Sequence, residues 1–303
     1  LHSTGVELVS TGGTHSELTN AGLPVRKVSD LTKFPEILGG RVKTLHPFVH
    51  GGLLAVRDNP DHMAQLSDIG ISPIDIVVCN LYPFEETVSK ANVSLEDVLE
   101  NIDIGGPTMV RAAAKNFPSV TVVVDPDDYI SVFERLEKSE LSLAQRKELA
   151  AKAFQHVALY DTIIAQHLRG NEAESPPQEM TLGLRKVKEL RYGENPHQKG
   201  YLYSNALLDN GITSAKQLHG KELSFNNILD ANSAWTTVSD FPDQAVAIIK
   251  HTNPCGLASN TDQLEAYKRA LDGDSTSAYG GIVSFNRKVS AKTAEEMRKM
   301  FFE

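Results

Sequence analysis

Short apolar runs rich in β-branched residues alternate with helical stretches in the first half of this chain, and this alternation is the strongest constraint on its fold. The strand-like runs are VELVS at 6–10, IDIVVCN at 74–80 and SVTVVVD at 119–125. The helical stretches lie at 94–101, 107–116 and 142–168, and the first and third open with capping-box patterns. Strands separated by helices predict an α/β fold with a parallel, doubly wound sheet.

The composition changes at residues 170–180, where glycine, acidic residues and two prolines occur without apolar periodicity. This segment is predicted to be an interdomain linker. A second α/β pattern follows, with predicted strands in YLYS, AVAIIK and GGIVSFN and predicted helices near 213–219, 226–240 and 262–272. We therefore predict a first domain over 1–169 and a second domain over 181–303.

The composition excludes several classes of protein. No apolar run approaches the roughly 20 residues that span a bilayer, and the N-terminus lacks the basic and apolar regions of a signal peptide. A net charge of −9 argues against broad nucleic-acid binding, although a local basic cluster can still hold an anionic small ligand. The two cysteines, Cys79 and Cys255, are too few for a disulfide framework or a Cys-rich zinc site, and they fit a reducing cytoplasm.

Four segments of the first domain indicate a site for a phosphorylated ligand. They are STGGT at 10–14, GGRVKTLHP at 39–47, CNLYPF at 79–84 and NIDIGGPTMVRAAAK at 101–115. Backbone N–H groups at glycine-rich helix starts can hold a phosphate, and polar side chains just past a strand lie where doubly wound folds bind ligands. Lysines, an aspartate and a tyrosine suit proton transfer around a carbonyl. Each segment also has a structural interpretation: a tight Gly-Gly turn, a solvated basic loop or, for Asp103, a helix-terminal charge.

Two segments near the start of the second domain indicate another ligand site. In LRYGENPHQ, at 190–198, Arg191 can form forked contacts with a phosphate or carboxylate, and Tyr192 can stack on a planar ring. The alternative for this stretch is a plain turn. Asn226 and Asn227 begin a predicted helix, where asparagine is usually an N-cap, and a cap and a ligand contact can coexist there.

The segment IIKHTNPCG, at 248–256, ends a buried strand on Lys250 and His251. The histidine belongs either to a site or to the core. A nucleophilic Cys255 would need a lowered pKa, for which His251 is the nearby basic group. A zinc-deaminase site needs an H-x-E triplet and P-C-x-x-C, and this domain has neither a second cysteine nor a preceding H-x-E. The zinc interpretation therefore fails, and we predict that the Asn-Pro-Cys-Gly turn fixes the direction of Lys250 and His251, with Cys255 either a nucleophile or a packing residue.

Seven motifs, in order across both domains, resemble those of one known family. They are STGGT, GRVKTLHP, CNLYPF, DIGGPTMVRAAAKN, LRYGENPHQ, LSFNNILDA and KHTNPCG. The family is the bifunctional AICAR transformylase / IMP cyclohydrolase of purine biosynthesis, and the resemblance covers nearly the whole chain. It implies a methylglyoxal-synthase-like α/β fold for the first domain and a partial cytidine-deaminase-like α/β fold for the second.

The resemblance implies two reactions and their site residues. The first domain would close formyl-AICAR to IMP with loss of water, and the second would move a formyl group from 10-formyltetrahydrofolate, a co-substrate, to the AICAR amine. The implied catalytic residues are Lys43, Tyr82, Asp103 and Lys115 for cyclisation, and Lys250 and His251 for transfer. The implied substrate-binding residues are Ser10, Thr11, Gly12, Gly13, Thr14, Arg41, Thr44, Asn80, Ile104, Gly105, Gly106, Arg191, Tyr192, Gly193 and Asn227. The expected partners are AICAR, formyl-AICAR, IMP and a second copy of the chain in a cytoplasmic homodimer, with no metal, nucleic acid or membrane.

The chain departs from the family pattern at both ends. It lacks the Ser-Asp-Lys-Thr-Gly segment with which the family usually begins, and it stops at Glu303, before the second, similarly folded half of the transformylase domain. We therefore expect a fragment with compromised cyclohydrolase activity and an incomplete transformylase site. Two alternatives stay open: a methylglyoxal-synthase-like phosphate lyase fused to an unrelated domain, and a non-catalytic protein that binds purine nucleotides.

Overall fold

The structure, a computed structural model, describes residues 1–138, 141–170, 176–205 and 211–303. The chain divides into two compact units, Leu1–Thr181 and Leu182–Glu303. Residues 171–175, inside the predicted 170–180 linker, lie outside the described residues, so the predicted domain limits stay a prediction.

The β-branched runs of the first unit form short strands in parallel pairs. The strands are β1 (Leu8–Ser10), β2 (Val25–Lys27), β3 (Ile76–Val78) and β4 (Thr121–Val123). β1 pairs with β2, and β3 pairs with β4, in parallel in both cases. The parallel α/β arrangement predicted from the sequence is confirmed, although each predicted run is longer than the strand it contains and β2 lies outside those runs.

Helices surround these strands in the first unit. They are α1 (Gly12–Asn20), α2 (Val28–Thr32), α3 (Pro47–Leu54), α4 (Pro60–Asp68), α5 (Phe84–Val88), α6 (Leu95–Glu100), α7 (Gly105–Lys115), α8 (Tyr129–Glu137) and α9 (Leu143–Arg169), with 3-10 turns at His2–Thr4, Leu38–Gly40 and Pro126–Asp128. The capping box predicted at the start of α9 is confirmed, because Ser142 and Gln145 exchange side-chain-to-backbone hydrogen bonds. This cap fixes where the longest helix begins.

The core of the first unit lies among β4, α7 and α9. β4 is buried along its whole length, and Val110 and Ala113 of α7 and Val157 of α9 are buried in the same cluster. Small alanines let α7 pack closely. The packing holds the N-terminus of α7, with its two glycines, in a fixed position beside the loop that carries Asp103.

The second unit combines two antiparallel sheets with helices. Its strands are β5 (Leu184–Leu190), β6 (Gly200–Asn205), β7 (Ala245–Lys250), β8 (Asn253–Ser259) and β9 (Ile282–Phe285), and its helices are α10 (Phe225–Ser239), α11 (Gln263–Gly273), α12 (Ser275–Ala278) and α13 (Ala291–Met297), with a 3-10 turn at Gly211–Thr213. β7 lies between β8 and β9 and is antiparallel to both. Ala245–Ile249 are fully buried, and Lys250, the last residue of this central strand, lies where the strand leaves the core.

Two local predictions for the second unit were wrong. The Asn-Pro-Cys-Gly segment is not a turn, because Asn253 begins strand β8 and the turn consists of the two residues before it. Proline is tolerated there because β8 is an edge strand and its pairing shifts at Cys255, which bulges between Pro254 and Gly256.

The helix predicted near 213–219 is also absent, since helical structure in that part ends at Thr213. The Ser214 hydroxyl donates to the carbonyl of Gly211 at 3.1 Å. Such a side-chain bond competes with helix propagation.

Candidate functional site

Two adjacent residues of the first unit contact both glycine-rich helix starts. The Lys43 ammonium lies against Gly12 in the first turn of α1, where an added Cβ would be 3.6 Å from Nζ. The Thr44 hydroxyl lies against Gly105 at the start of α7, where an added Cβ would be 2.6 Å from Oγ1. A side chain at Gly105 would therefore displace the Thr44 hydroxyl, and one short bent segment contacts both of the predicted anion sites.

The start of α1 is open and suited to an anion. Thr11 is the N-cap residue, and its side chain makes no capping hydrogen bond. A Cβ added at Gly13 would meet nothing within 4 Å. The first backbone N–H groups of a helix have no acceptor within it, and the helix dipole favours a negative charge there. Together with the Lys43 ammonium, these groups can hold a phosphate.

Asp103 precedes the second glycine pair and is fixed from both sides. Its Oδ1 accepts a hydrogen bond from the Gly106 N–H at 2.8 Å, and its own N–H donates to the Tyr160 hydroxyl at 2.8 Å. Tyr160 in turn donates to the carbonyl of Asn101 at 3.0 Å. Burial raises the pKa of Tyr160 to about 12, so the phenol stays neutral and can donate this bond. Tyr160 could not be predicted from the sequence, because a tyrosine inside a long helix carries no signal of a contact 57 residues away.

We expect Tyr160→Phe to lower the free energy of unfolding by about 1–3 kcal/mol, because it leaves two backbone groups of the Asn101–Asp103 loop without partners. The ring itself is retained, so its edge contact with Phe84 should survive. Urea denaturation followed by circular dichroism measures the change. An unfolding free energy equal to that of the parent would contradict the role assigned to the hydroxyl.

Arg41 and Asn80, also predicted for the first site, have side-chain partners that are distant in the chain. Arg41 forms an ion pair with Glu100, and Asn80 donates to the Tyr129 hydroxyl at 3.1 Å. Both side chains of the Arg41–Glu100 pair are more than half exposed, so the pair contributes little stability and Arg41 can exchange its partner for a ligand. Tyr82 is 41% exposed. Its phenol is near enough to Tyr160 to add to the rise in that residue's pKa, although burial is the main cause.

Lys115 is the predicted catalytic residue that the structure does not bring to this group. It ends α7, ten residues after Gly105, which corresponds to about 15 Å along the helix axis. There it lines a cavity of about 610 Å³ with His50, Arg111 and Lys147.

Ile104 lies at the other end of α7, where it is the exposed N-cap residue without a side-chain capping bond. Its predicted contact with substrate stays a prediction.

In the second unit, the segment that carries Arg191 lies against the start of α10. The Arg191 N–H donates to the carbonyl of Leu223 at 3.0 Å, and the Phe225 N–H donates to the carbonyl of Tyr192 at 3.1 Å. The Arg191 guanidinium lies 4.9 Å from the centre of the Tyr192 ring. A Cβ added at Gly193 would be 2.9 Å from Cβ of Gln198, so this tight bend requires glycine. The structure thus joins Arg191, Tyr192 and Gly193 to the helix that carries Asn227.

The asparagines at the start of α10 differ from the expected N-cap. Ser224 is the N-cap residue, and Asn227 completes a capping box by accepting from the Ser224 N–H at 3.0 Å. Asn226 donates instead to the carbonyl of Glu194 at 3.2 Å. The Asn227 carbonyl oxygen is therefore engaged in the helix start, and its amide N–H groups are the part that can contact a ligand.

Lys250 and His251 stand at the exit of β7, as the sequence predicted. The Lys250 ammonium donates to the carbonyl of Tyr279 at 2.7 Å. His251 and Thr252 form a two-residue turn with φ of 53° and 62°, in the left-handed region. Both backbone N–H groups of the turn donate to the carboxylate of Asp230 on α10. Asp230 was not predicted from the sequence, although an acidic residue three positions after Asn227 lies on the same helix face.

Cys255 fits packing better than catalysis. It packs against the buried cluster of Val246 and Ile248, and burial is the main cause that raises the pKa of its thiol. A raised pKa reduces the thiolate fraction, and the thiolate is the nucleophile.

We expect Cys255→Ala to keep most formyl-transfer activity, with a stability loss of about 1 kcal/mol or less from the small volume removed. The measurement compares formyl-transfer rates in a full-length family enzyme that contains this sequence. Loss of nearly all activity in a folded variant would revive the hypothesis of a catalytic thiol.

Among the described residues, no group of three or more His, Cys, Asp and Glu side chains is arranged to hold a metal ion. In the same residues, no helix combines the length and the apolar character needed to cross a membrane.

Comparison with known proteins identifies relatives over the whole chain. The proteins named "Bifunctional purine biosynthesis protein PurH" from Acetivibrio thermocellus and Thermoanaerobacter sp. are 51% and 52% identical, and each match covers 100% of this chain and 60% of that protein. The protein of the same name from Bacillus subtilis is 51% identical over 99% of this chain and 59% of its own length. The chain thus spans about 60% of the length of these relatives.

Two family models match successive parts of the sequence. The model described as an MGS-like domain matches residues 1–108, which include β1, α1 and the loop of Lys43. The model described as the AICARFT/IMPCHase bienzyme matches residues 113–303, well over half of the chain. The chain therefore belongs to the AICARFT/IMPCHase bienzyme family, with an MGS-like domain at its N-terminal end.

Proposed function

We propose that the first unit binds formyl-AICAR and closes it to IMP, and that the second unit supplies part of a site that formylates AICAR. The observation that carries the first part is the contact of Lys43 and Thr44 with the glycines that open α1 and α7. It creates one polar surface with a phosphate site at one end and Asp103 at the other. Membership of the bienzyme family supports both parts.

The phosphate of the nucleotide is proposed to lie at the start of α1. Ser10 to Thr14 offer backbone N–H groups and hydroxyls, and the Lys43 ammonium adds a positive charge at Gly12. Arg41 would exchange Glu100 for the ligand. The base would then lie toward Asp103, Ile104 and the glycines of α7, with Asn80 and Tyr82 beside it.

Cyclisation requires charge stabilisation and proton transfer. The carboxamide nitrogen attacks the formyl carbon, a C–N bond forms, and negative charge develops on the formyl oxygen, which Lys43 would stabilise. The carboxamide nitrogen and the formamide nitrogen each lose one proton, the oxygen gains both, and the C–O bond breaks to release water as the C=N bond of the ring forms. Groups that accept and donate protons are therefore needed. Asp103 and Tyr82 are proposed for these transfers. Lys115 enters the proposal on the family resemblance alone, because it stands at the far end of α7.

Formyl transfer is proposed for Lys250 and His251, with Arg191, Tyr192, Gly193 and Asn227 binding AICAR. The AICAR amine is a poor nucleophile because it is conjugated with the ring and lies beside a carboxamide. It attacks the formyl carbon of 10-formyltetrahydrofolate, and Lys250 would stabilise the resulting oxyanion. His251 would take the amine proton and pass it to the folate nitrogen as the carbon–nitrogen bond to folate breaks. Cyclisation then consumes the product and draws the transfer forward.

The proposal also covers the small molecules, the metal requirement, the compartment and the oligomeric state. The small molecules involved are AICAR, formyl-AICAR, IMP and the folate co-substrate, and the steps above need no metal. A cytoplasmic homodimer is proposed on the family resemblance, with no nucleic acid or membrane partner.

Incubation of the 303-residue chain with synthetic formyl-AICAR tests the first part of the proposal. We expect the ultraviolet absorbance to change as IMP forms. Binding of IMP without turnover of formyl-AICAR would instead favour a non-catalytic nucleotide-binding protein. A formyl-transfer assay, with AICAR and 10-formyltetrahydrofolate, tests the second part in a full-length family enzyme that contains this sequence.

A further inference from the structure

The turn between β7 and β8 has an unfavourable composition for its geometry. Two-residue hairpin turns with both φ values positive strongly favour Asn, Asp and Gly. Here the two positions hold His251 and Thr252, with φ of 53° and 62°. A β-branched residue in the left-handed region is a conformational outlier, which persists only where the surroundings hold it in place. Something outside the turn must therefore stabilise it.

The carboxylate of Asp230 provides that support. Its Oδ2 accepts from the His251 N–H at 3.0 Å, and its Oδ1 accepts from the Thr252 N–H at 2.7 Å. Asp230 is only 9% exposed, so these charge-assisted bonds are shielded from water and strong. The carboxylate uses both oxygens on the two residues that need support.

The carbonyl of His251 is held as firmly as its N–H. It accepts from the Thr252 hydroxyl at 2.7 Å and from the Asn253 side-chain amide at 2.8 Å. The imidazole itself is exposed, and it has no hydrogen-bond or ion-pair partner within the described part of the chain. The backbone of His251 is thus fixed at both ends while its side chain stays available for a ligand.

The helix that carries Asp230 also carries the proposed AICAR contacts. Asn227 lies one turn earlier on α10, about 4.5 Å along the axis. The start of α10 is joined to the Arg191–Gly193 segment by the backbone bonds from Arg191 to Leu223 and from Phe225 to Tyr192. One rigid element therefore connects the substrate-binding segment to the turn that presents His251.

We propose that Asp230 is a positioning residue for formyl transfer. It holds the strained His251–Thr252 turn in a fixed position relative to the start of α10, where AICAR is proposed to bind. This inference rests on the proposed function of the second unit. It adds a residue that does not touch substrate and acts through the backbone of His251.

Asp230→Asn in a full-length family enzyme that contains this sequence tests the proposal. Asparagine has the same shape, but one oxygen becomes an NH₂ group that cannot accept, and the charge is lost. We expect kcat for formyl transfer to fall by about 10²-fold, the effect of a small misplacement of a reacting group. KM for AICAR should change little because Arg191 and Tyr192 are untouched. Cyclisation of formyl-AICAR by the same protein should keep the parent rate.

A second substitution separates positioning from general support of the fold. Glycine adopts positive φ without strain, so Thr252→Gly added to Asp230→Asn should restore a large part of the lost kcat. Asp240→Asn, at the exposed end of the same helix, is the matched control and should have the parent kcat. A parent kcat in Asp230→Asn, or a loss that Thr252→Gly does not reduce, would overturn the proposal.

Hydrogen exchange on the 303-residue chain tests the turn without any activity. The N–H groups of His251 and Thr252 should exchange slowly in the parent and much faster in Asp230→Asn, while those of β7 keep their protection. Rapid exchange at both positions in the parent would overturn the inference. If the exchange result holds but the parent full-length enzyme transfers no formyl group, the proposed function fails and the structural role of Asp230 stands.

Discussion

Lys43→Ala is expected to reduce the rate of formyl-AICAR cyclisation by about 10²–10³-fold, the usual cost of removing a group that stabilises a developing oxyanion. The proposed function assigns two roles to this lysine. Its ammonium lies against Gly12, at the proposed phosphate site, and its neighbour Thr44 lies against Gly105, beside Asp103. We therefore expect both weaker binding of IMP and slower chemistry, whereas a residue that binds only the phosphate would chiefly raise KM.

The experiment compares kcat and KM for synthetic formyl-AICAR with IMP affinity from calorimetry. Lys90→Ala is the matched control, because it removes an exposed lysine from the same unit without touching either glycine-rich helix start. A Lys43→Ala variant that cyclises formyl-AICAR at the parent rate would contradict the assignment. A similar loss in Lys90→Ala would show that net charge, rather than the position of Lys43, sets the rate.

The sequence predicted best the features that depend on residues close together in the chain. These features are the parallel strands rich in β-branched residues, the glycine-rich helix starts and the end of a buried strand at Lys250. These features locate the two candidate sites before any contact between distant residues is known.

The features that the sequence did not reveal depend on contacts between residues distant in the chain or on irregular local backbone, such as a proline or a bulge in a strand. Tyr160 fixes the Asp103 loop from 57 residues away, and Asp230 fixes the His251 turn from 21 residues away. Strand β8 was hidden because it begins Asn-Pro and contains a bulge at Cys255. The residues that support a site were therefore harder to predict than the residues proposed to act in it.

His251→Ala is expected to reduce formyl transfer by about 10²–10⁴-fold, the usual contribution of a general acid–base group. The exposed imidazole has no partner within the described residues, and its backbone is held at both ends. Its side chain can therefore be removed with little cost to the fold. The rate is best measured in a full-length family enzyme that contains this sequence, at saturating AICAR and 10-formyltetrahydrofolate.

His219→Ala, which removes another exposed imidazole of the second unit, is the matched control. We expect it to keep the parent rate and expect both variants to cyclise formyl-AICAR normally, because cyclisation is assigned to the first unit. Undiminished formyl transfer in His251→Ala would remove the histidine from the mechanism. Lys250 would remain beside the same turn, where its ammonium donates to the carbonyl of Tyr279. That result would therefore leave Lys250 as the proposed oxyanion-stabilising group, and another group would have to accept the amine proton.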